Sequence, residues 1–91
     1  MHKRIECVIS GRVQMVMYRD FATRKAKGLG LVGEAKNLPD GTVRIIAEGP
    51  EEKLSAYIPL LKQGPILAHV TDVAVTWEDA TRTYAKFMIT Y

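Results

Sequence analysis

Residues 10–19 read Ser-Gly-Arg-Val-Gln-Met-Val-Met-Tyr-Arg and join a strand pattern directly to a helix pattern. The link is too short for another element, so the backbone must turn sharply there. Such a loop presents backbone N–H groups without partners, and the start of the helix adds partial positive charge, so both features favour an anion. Arg19, at the end of this stretch, would bind a phosphate through two charge-assisted hydrogen bonds. The stretch therefore predicts a phosphate site.

The two elements that flank this loop follow from the spacing of apolar residues. Apolar residues alternate along residues 3–10, with Cys7 among them, which predicts a strand with one buried face. Residues at helical spacing predict a helix over about 19–29, and Gly30 is expected to end it in the left-handed conformation. Cys7 is interpreted as a small apolar core residue, because no histidine is placed to activate its thiol.

The rest of the chain alternates strand and helix patterns. In order, we predict a strand at 31–37, a turn at 38–41, a strand at 42–48, a helix that starts near 49–52 and stops at 64–65, a strand over 73–77, and a strand at 85–91. Pro59 should kink the second helix or end it early, since proline removes a hydrogen bond inside a helix. Trp77 is expected to pack in the core of the sheet.

This order of elements, β-α-β-β-α-β plus a final strand, predicts the α+β class and a ferredoxin-like split βαβ sandwich. One sheet would carry both helices on one face. The third strand should lie between the first and the second, which then run parallel. The carboxyl ends of these two parallel strands emerge at the same edge of the sheet. The topology therefore places Arg19, after the first strand, near Asn37, at the end of the second.

Composition narrows the class of protein further. With 91 residues, we expect a single domain spanning 1–91. The net charge of +3 suits an anionic small molecule without itself indicating nucleic acid or a membrane. The lone cysteine excludes an internal disulfide and a cysteine-based metal site and fits a reducing compartment. Residues 1–7 lack the apolar stretch of a signal peptide, and no apolar run would span a bilayer, so we expect a cytoplasmic protein.

Two segments resemble the signatures of the acylphosphatase family. The first is Gly-Arg-Val-Gln-Met-Val-Met-Tyr-Arg at 11–19, which is similar to the family's phosphate loop. The second is Gly-Glu-Ala-Lys-Asn-Leu-Pro-Asp-Gly at 33–41, which is similar to the signature around its catalytic asparagine. The resemblance covers essentially the whole chain, and the two signatures in this order are quite specific.

The resemblance implies metal-independent hydrolysis of acyl phosphates, with no cofactor. Arg19 and Asn37 match the catalytic residues, which bind the phosphate and orient the attacking water. The residues matching the substrate-binding loop are Arg12, Val13, Gln14, Met15, Val16, Met17 and Tyr18. The implied substrate is a small acyl phosphate such as acetyl phosphate, carbamoyl phosphate or 1,3-bisphosphoglycerate, and inorganic phosphate is the product. A monomer that binds neither nucleic acid nor a membrane is expected, and a carboxylate on Tyr91 would pair with Arg19.

The sequence departs from the family pattern at two positions of the loop. Met15 and Met17 stand where the family usually has glycine, so any requirement for positive φ there would strain or reshape the loop. This departure keeps open a catalytically weak or inactive phosphate-binding domain of the same fold. An RNA-binding ferredoxin-like module is a further alternative, although the strand at 42–48 lacks the aromatic residues that such modules need.

Overall fold

The computed structural model describes all residues from Met1 to Tyr91 and contains five strands and two helices. The elements are β1 (His2–Arg12), α1 (Tyr18–Gly28), β2 (Val32–Asn37), β3 (Val43–Pro50), α2 (Glu51–Gln63), β4 (His69–Asp79) and β5 (Phe87–Thr90). All seven predicted elements are present in the predicted order. The largest differences are in β1 and β4, which are longer than predicted, and in β5, which is shorter. The α+β, ferredoxin-like fold is confirmed.

The five strands form one sheet in the order β4-β1-β3-β2-β5. β3 pairs antiparallel with both β1 and β2, so those two strands run in the same direction. This is the predicted insertion of the third strand between the first and the second. β5 pairs parallel with β2 at the other edge. The carboxyl ends of β1, β2 and β5 therefore lie at one end of the molecule.

The core is a single cluster of 17 buried residues, to which one face of the sheet and both helices contribute. The alternating residues of β1 behave as predicted, since Ile5, Cys7 and Ile9 are fully buried. Burial, aided by the charge of neighbouring Glu6, raises the pKa of the Cys7 thiol to about 12. The thiol is therefore protonated at neutral pH and acts as an apolar packing group.

Two buried tyrosines join the helices to each other. The Tyr18 hydroxyl donates a hydrogen bond of 2.6 Å to the carbonyl oxygen of Leu61 in α2. In the opposite direction, the Tyr57 hydroxyl donates one of 2.7 Å to the carbonyl of Ala22 in α1. These hydrogen bonds satisfy the two buried hydroxyl groups, and burial raises the pKa of each. Both phenols are therefore neutral at neutral pH. The first turn of α1, which carries Arg19, is thus fixed against the second helix.

Helix α2 continues through Pro59 as far as Gln63, so of the two outcomes predicted for this proline, a kink or an early end, the early end is not observed. Pro59 lies on the exposed side of the helix, where its ring does not disturb packing against the sheet. Neither α1 nor α2 combines the length and the apolar content needed to cross a membrane.

Trp77 is 44% exposed, so the prediction that it packs in the core of the sheet is wrong. Trp77 does lie on the same face of β4 as Val73 and Val75, since all three are opposite inward-facing residues of β1. However, β4 is an edge strand and has a neighbour on one side only. The indole therefore lies at the margin of the core.

Candidate functional site

A β-bulge at Gly11 lies just before the sharp turn that follows β1. The pairing of β1 with β4 shifts register between Ser10 and Gly11, which marks a β-bulge. Gly11 has φ +116°, and a Cβ there would collide with the carbonyl oxygen of His69 and lie 2.8 Å from the amide nitrogen of Thr71. Only glycine fits this backbone, and the pairing with β4 continues for one more residue, Arg12, before the loop begins.

The loop of residues 13–17 is held by its valines and leaves its amides unpaired. The side chains of Val13 and Val16 are buried in the core cluster. Eleven backbone hydrogen bonds lie outside the helices and strands, and none of them uses an amide of residues 13–17 as donor. The backbone amides that donate to side chains are those of Thr42, Thr81 and Arg82, so no side chain accepts from the loop amides. Because unpaired backbone amides can donate hydrogen bonds to a ligand, the loop is suited to bind a group with several oxygen acceptors.

Met15 and Met17 both adopt the left-handed conformation, with φ values of 60° and 66°. Met17 is also the residue that caps the start of α1, and its carbonyl accepts a 3.0 Å hydrogen bond from the amide of Phe21. The backbone therefore takes the positive φ values that glycine adopts easily, although methionine occupies both positions. The sequence left two outcomes open, a strained loop or a loop of altered shape, and the structure has the strained loop.

Arg19 lies in the first turn of α1 with its guanidinium carbon 5.0 Å from the centre of the Tyr91 ring. This is a cation–π contact. The ring of Tyr91 makes this contact, and the expected ion pair with a carboxylate of Tyr91 is not found among the salt bridges. No acidic side chain pairs with Arg19, so its charge remains available to an anion.

Asn37 is the last residue of β2, and its side-chain oxygen is buried without a donor from the protein. The turn that follows is rigid. The amide of Leu38 donates to the carbonyl of Thr42 at 2.9 Å, and the Asp40 carboxylate accepts from both the amide and the hydroxyl of Thr42. These hydrogen bonds hold the pKa of Asp40 below its ordinary value. A fixed turn thus presents an unpartnered amide oxygen at the end of the strand.

Gln14 joins the loop to this turn. Its side-chain nitrogen donates hydrogen bonds to the carbonyl of Leu38 at 2.8 Å and to that of Thr42 at 2.9 Å. The sequence identified Gln14 only as a source of a backbone amide and missed this bridge. The available signal was a side chain with two donors in a loop of otherwise apolar residues, at the end of the sheet where the turn after β2 was also expected.

A cavity of about 330 Å³ lies against the loop and the first turn of α1. The residues that line it are Val13, Met15, Met17, Tyr18, Arg19, Asp20 and Ile89. Arg12 lies outside this cavity, exposed at the end of β1 opposite His69. Asn37 is also outside it, and no hydrogen bond joins it to Arg19. The segments that carry these two residues meet through Gln14, as the parallel arrangement of β1 and β2 predicts.

Comparisons with known proteins agree on one family. The sequence model described as Acylphosphatase matches residues 5–89. An acylphosphatase from Thermus thermophilus is 54% identical over 74 residues, covering 81% of this chain and 84% of that protein. One from Dehalococcoides mccartyi is 43% identical over 86 residues, covering 93% and 94%. The crystal structure of acylphosphatase from Bacillus subtilis superposes with a TM-score of 0.94 at 36% identity, and each chain is fully covered.

The match extends over both segments that form the candidate site, residues 11–19 and 33–41, and over the whole sheet. Sequence identity well above 30% along nearly the full length of these relatives accompanies the structural agreement. The resemblance first noted in two short signatures is therefore a relationship of the entire chain, and the chain belongs to the acylphosphatase family of hydrolases.

Proposed function

We propose that this acylphosphatase hydrolyses the carboxyl–phosphate bond of an acyl phosphate through the loop at 12–19 and Asn37. In this scheme the loop amides and Arg19 hold the phosphoryl group, and Asn37 orients the attacking water. The observation that carries the proposal is the run of unpaired amides at residues 13–17 beside an arginine that has no acidic partner. Donors and positive charge in this arrangement match the oxygen atoms of a phosphoryl group.

Phosphoryl transfer spreads negative charge over the three peripheral oxygens of the phosphoryl group in the transition state. Catalysis then depends mainly on positioning and on donors that are already oriented. Buried Val13 and Val16 hold the loop from below, and Tyr18 fixes the start of α1 through its bond to Leu61. The amides and Arg19 would therefore reach the developing charge with little rearrangement.

Asn37 would act by orienting water and not by accepting its proton. Its buried amide oxygen has no donor from the protein, so it would accept a hydrogen bond from a water molecule placed in line with the bond that breaks. The water oxygen forms the new bond to phosphorus, the bond from phosphorus to the carboxylate oxygen breaks, and its electron pair leaves with the carboxylate. The protons of the water leave with the phosphate product. Because a carboxylate is a good leaving group, the scheme needs no metal, cofactor or protein nucleophile.

The proposal assigns residues 1–91 to one working domain. Its support is the single core cluster, which combines Ile5 near one end of the chain with Phe87 near the other. Both halves of the candidate site rest on this cluster, through Val13 in the loop and Val43 beside Asn37.

A hydrolysis assay with benzoyl phosphate tests the proposal directly. Purified protein is incubated with the substrate in the presence of a chelator, and release of inorganic phosphate is followed with and without added phosphate. We expect hydrolysis that the chelator leaves unchanged and that added phosphate inhibits competitively. Absence of hydrolysis would overturn the proposed enzymatic function. Binding of RNA without hydrolysis would favour the alternative of an RNA-binding ferredoxin-like module.

A further inference from the structure

The rim of the candidate site is apolar and exposed, which is unusual for a phosphate site. Met15 is 99% exposed, Met17 is 64% exposed, and the neighbouring Tyr91 is 91% exposed. Five of the seven residues that line the cavity are apolar. Of the two charged ones, Asp20 pairs with Arg24 at 3.3 Å. If a phosphoryl group occupies Arg19, the remaining wall of the cavity is mostly apolar.

Neither backbone preference nor packing explains methionine at these two positions. Left-handed φ is unfavourable for any residue with a Cβ, and glycine would remove that strain. Burial does not offset this strain, because both side chains are largely in solvent. Val13 and Val16 of the same loop differ in this respect, since burial in the core accounts for them. Both side chains are therefore free to contact a molecule bound in the cavity that they line.

We infer that Met15 and Met17 contact the acyl group of the substrate and select acyl phosphates whose acyl group is apolar or aromatic. The inference rests on the proposed function, which puts the phosphoryl group at the loop amides and Arg19. Met15, Met17 and Ile89 line the same cavity as Arg19, so an acyl group that extends from the bound phosphoryl group into this cavity would contact the two thioethers. Thioethers are flexible and polarisable and make favourable contacts with aromatic rings. An acyl group as small as acetyl would reach little of this surface.

Glutamine substitutions separate the apolar surface from the backbone strain. Met15→Gln and Met17→Gln keep a Cβ and a side chain of nearly the same length, so the strain of the left-handed backbone stays the same. Each substitution makes the rim polar. Met88→Gln is the matched control, because Met88 is a partly exposed methionine on β5 whose neighbour Ile89 lines the cavity while Met88 does not. The readout is the ratio of kcat/KM for benzoyl phosphate to that for acetyl phosphate.

We expect this ratio to fall about fivefold in each single variant and further in the double variant, as partial loss of apolar contact predicts. Met88→Gln should leave it unchanged. A ratio that stays the same in the double variant would overturn the inference while hydrolysis itself still supports the proposed function. A fall of the same size in Met88→Gln would also overturn it, since the effect would then not belong to the rim.

A binding measurement decides the question independently of turnover. 2-Oxo-2-phenylethylphosphonate and 2-oxopropylphosphonate replace the bridging oxygen of benzoyl and acetyl phosphate by a methylene group and resist hydrolysis. We expect the wild-type chain to bind the phenyl compound at least fivefold more tightly, and the double variant to bind both equally. Equal binding of the two compounds by the wild-type chain would overturn the inference even if no hydrolysis were detected.

Discussion

The side-chain amide of Gln14 donates a 2.8 Å hydrogen bond to the carbonyl oxygen of Leu38, the residue that follows Asn37. A second bond of 2.9 Å from the same nitrogen reaches Thr42 across the turn. Gln14 therefore fixes the distance between the loop that carries the unpaired amides and the strand end that carries Asn37. In the proposed reaction these two segments hold the phosphoryl group and the water, so their spacing decides whether attack is in line.

Gln14→Leu should reduce kcat/KM for benzoyl phosphate by about tenfold or more, because two carbonyls lose their shared donor and the segments separate. The free energy of unfolding should fall by about 1–3 kcal/mol for the same reason. Gln63→Leu is the control, since Gln63 is exposed in the last turn of α2 and forms no side-chain hydrogen bond. Steady-state kinetics and urea denaturation measure the two effects. Full activity in Gln14→Leu would contradict the bridging role.

Tyr91→Ala should weaken inhibition by inorganic phosphate, raising its inhibition constant about two- to fivefold. The reason is that an exposed cation–π contact contributes about 0.5–1 kcal/mol to the placement of the guanidinium. Tyr91→Phe keeps the ring over Arg19 and should behave like the wild type. If Tyr91→Phe weakened phosphate inhibition as much as Tyr91→Ala, the hydroxyl and not the ring contact would be responsible.

Met15→Gly should raise the free energy of unfolding by about 0.5 kcal/mol. Relief of left-handed strain gives about 1–2 kcal/mol, and the greater freedom of glycine in the unfolded chain opposes it by about 0.5–1 kcal/mol. Arg82→Gly is a matched control, because Arg82 has φ 59° but lies outside the candidate site. Both variants should gain stability in thermal or urea unfolding. A clear loss of stability in Met15→Gly would show that the methionine side chain stabilises the loop.

Acid should destabilise the fold through Glu48, whose carboxylate is 2% exposed. Burial raises the pKa of Glu48, but hydrogen bonds from Thr81, Arg82 and Arg4 outweigh it, so the pKa lies below the ordinary value of 4.5. A lowered folded pKa contributes stability above pH 4.5 that is lost as pH falls through the folded value.

Glu48→Gln should reduce the free energy of unfolding by about 2–3 kcal/mol at pH 7, since it weakens these bonds and leaves Arg4 without its buried partner. The difference in free energy of unfolding between variant and wild type should narrow as the pH falls below 4.5. Urea denaturation from pH 3 to pH 7 measures it, and a gap that is constant over this range would contradict the linkage.

Much of the fold follows from local patterns in the sequence. The alternation along β1 and the helical spacing of α1 predict the buried faces, and the order of elements predicts the position of β3. Trp77 was misplaced because alternation gives the face of a strand but not its distance from the edge of the sheet. The early end that Pro59 allowed is absent because packing of Leu54, Tyr57 and Leu61 in the core holds α2 together and offsets the hydrogen bond that proline removes.

The candidate site was predictable to the extent that topology determines it. Parallel β1 and β2 bring the loop and Asn37 to the same end of the molecule. The sequence carried a signal that the Gln14 side chain has a partner, but neither its two acceptors nor the ring contact of Tyr91 was predictable, because each depends on side-chain direction across segments far apart in sequence. The conformation of Met15 and Met17 was likewise undetermined, since sequence alone does not decide whether a loop accepts strain or changes shape.

The roles of Arg19 and Asn37 are tested by comparing Arg19→Ala and Asn37→Ala with the wild type, using benzoyl phosphate as substrate and inorganic phosphate as inhibitor. Lys27→Ala is the control, because Lys27 is an exposed basic residue of the same helix that forms no salt bridge and does not line the cavity. Arg19→Ala should weaken phosphate inhibition more than tenfold, and Asn37→Ala should lower kcat about 100-fold or more while phosphate inhibition stays near the wild-type value. Wild-type activity in both variants would contradict the account.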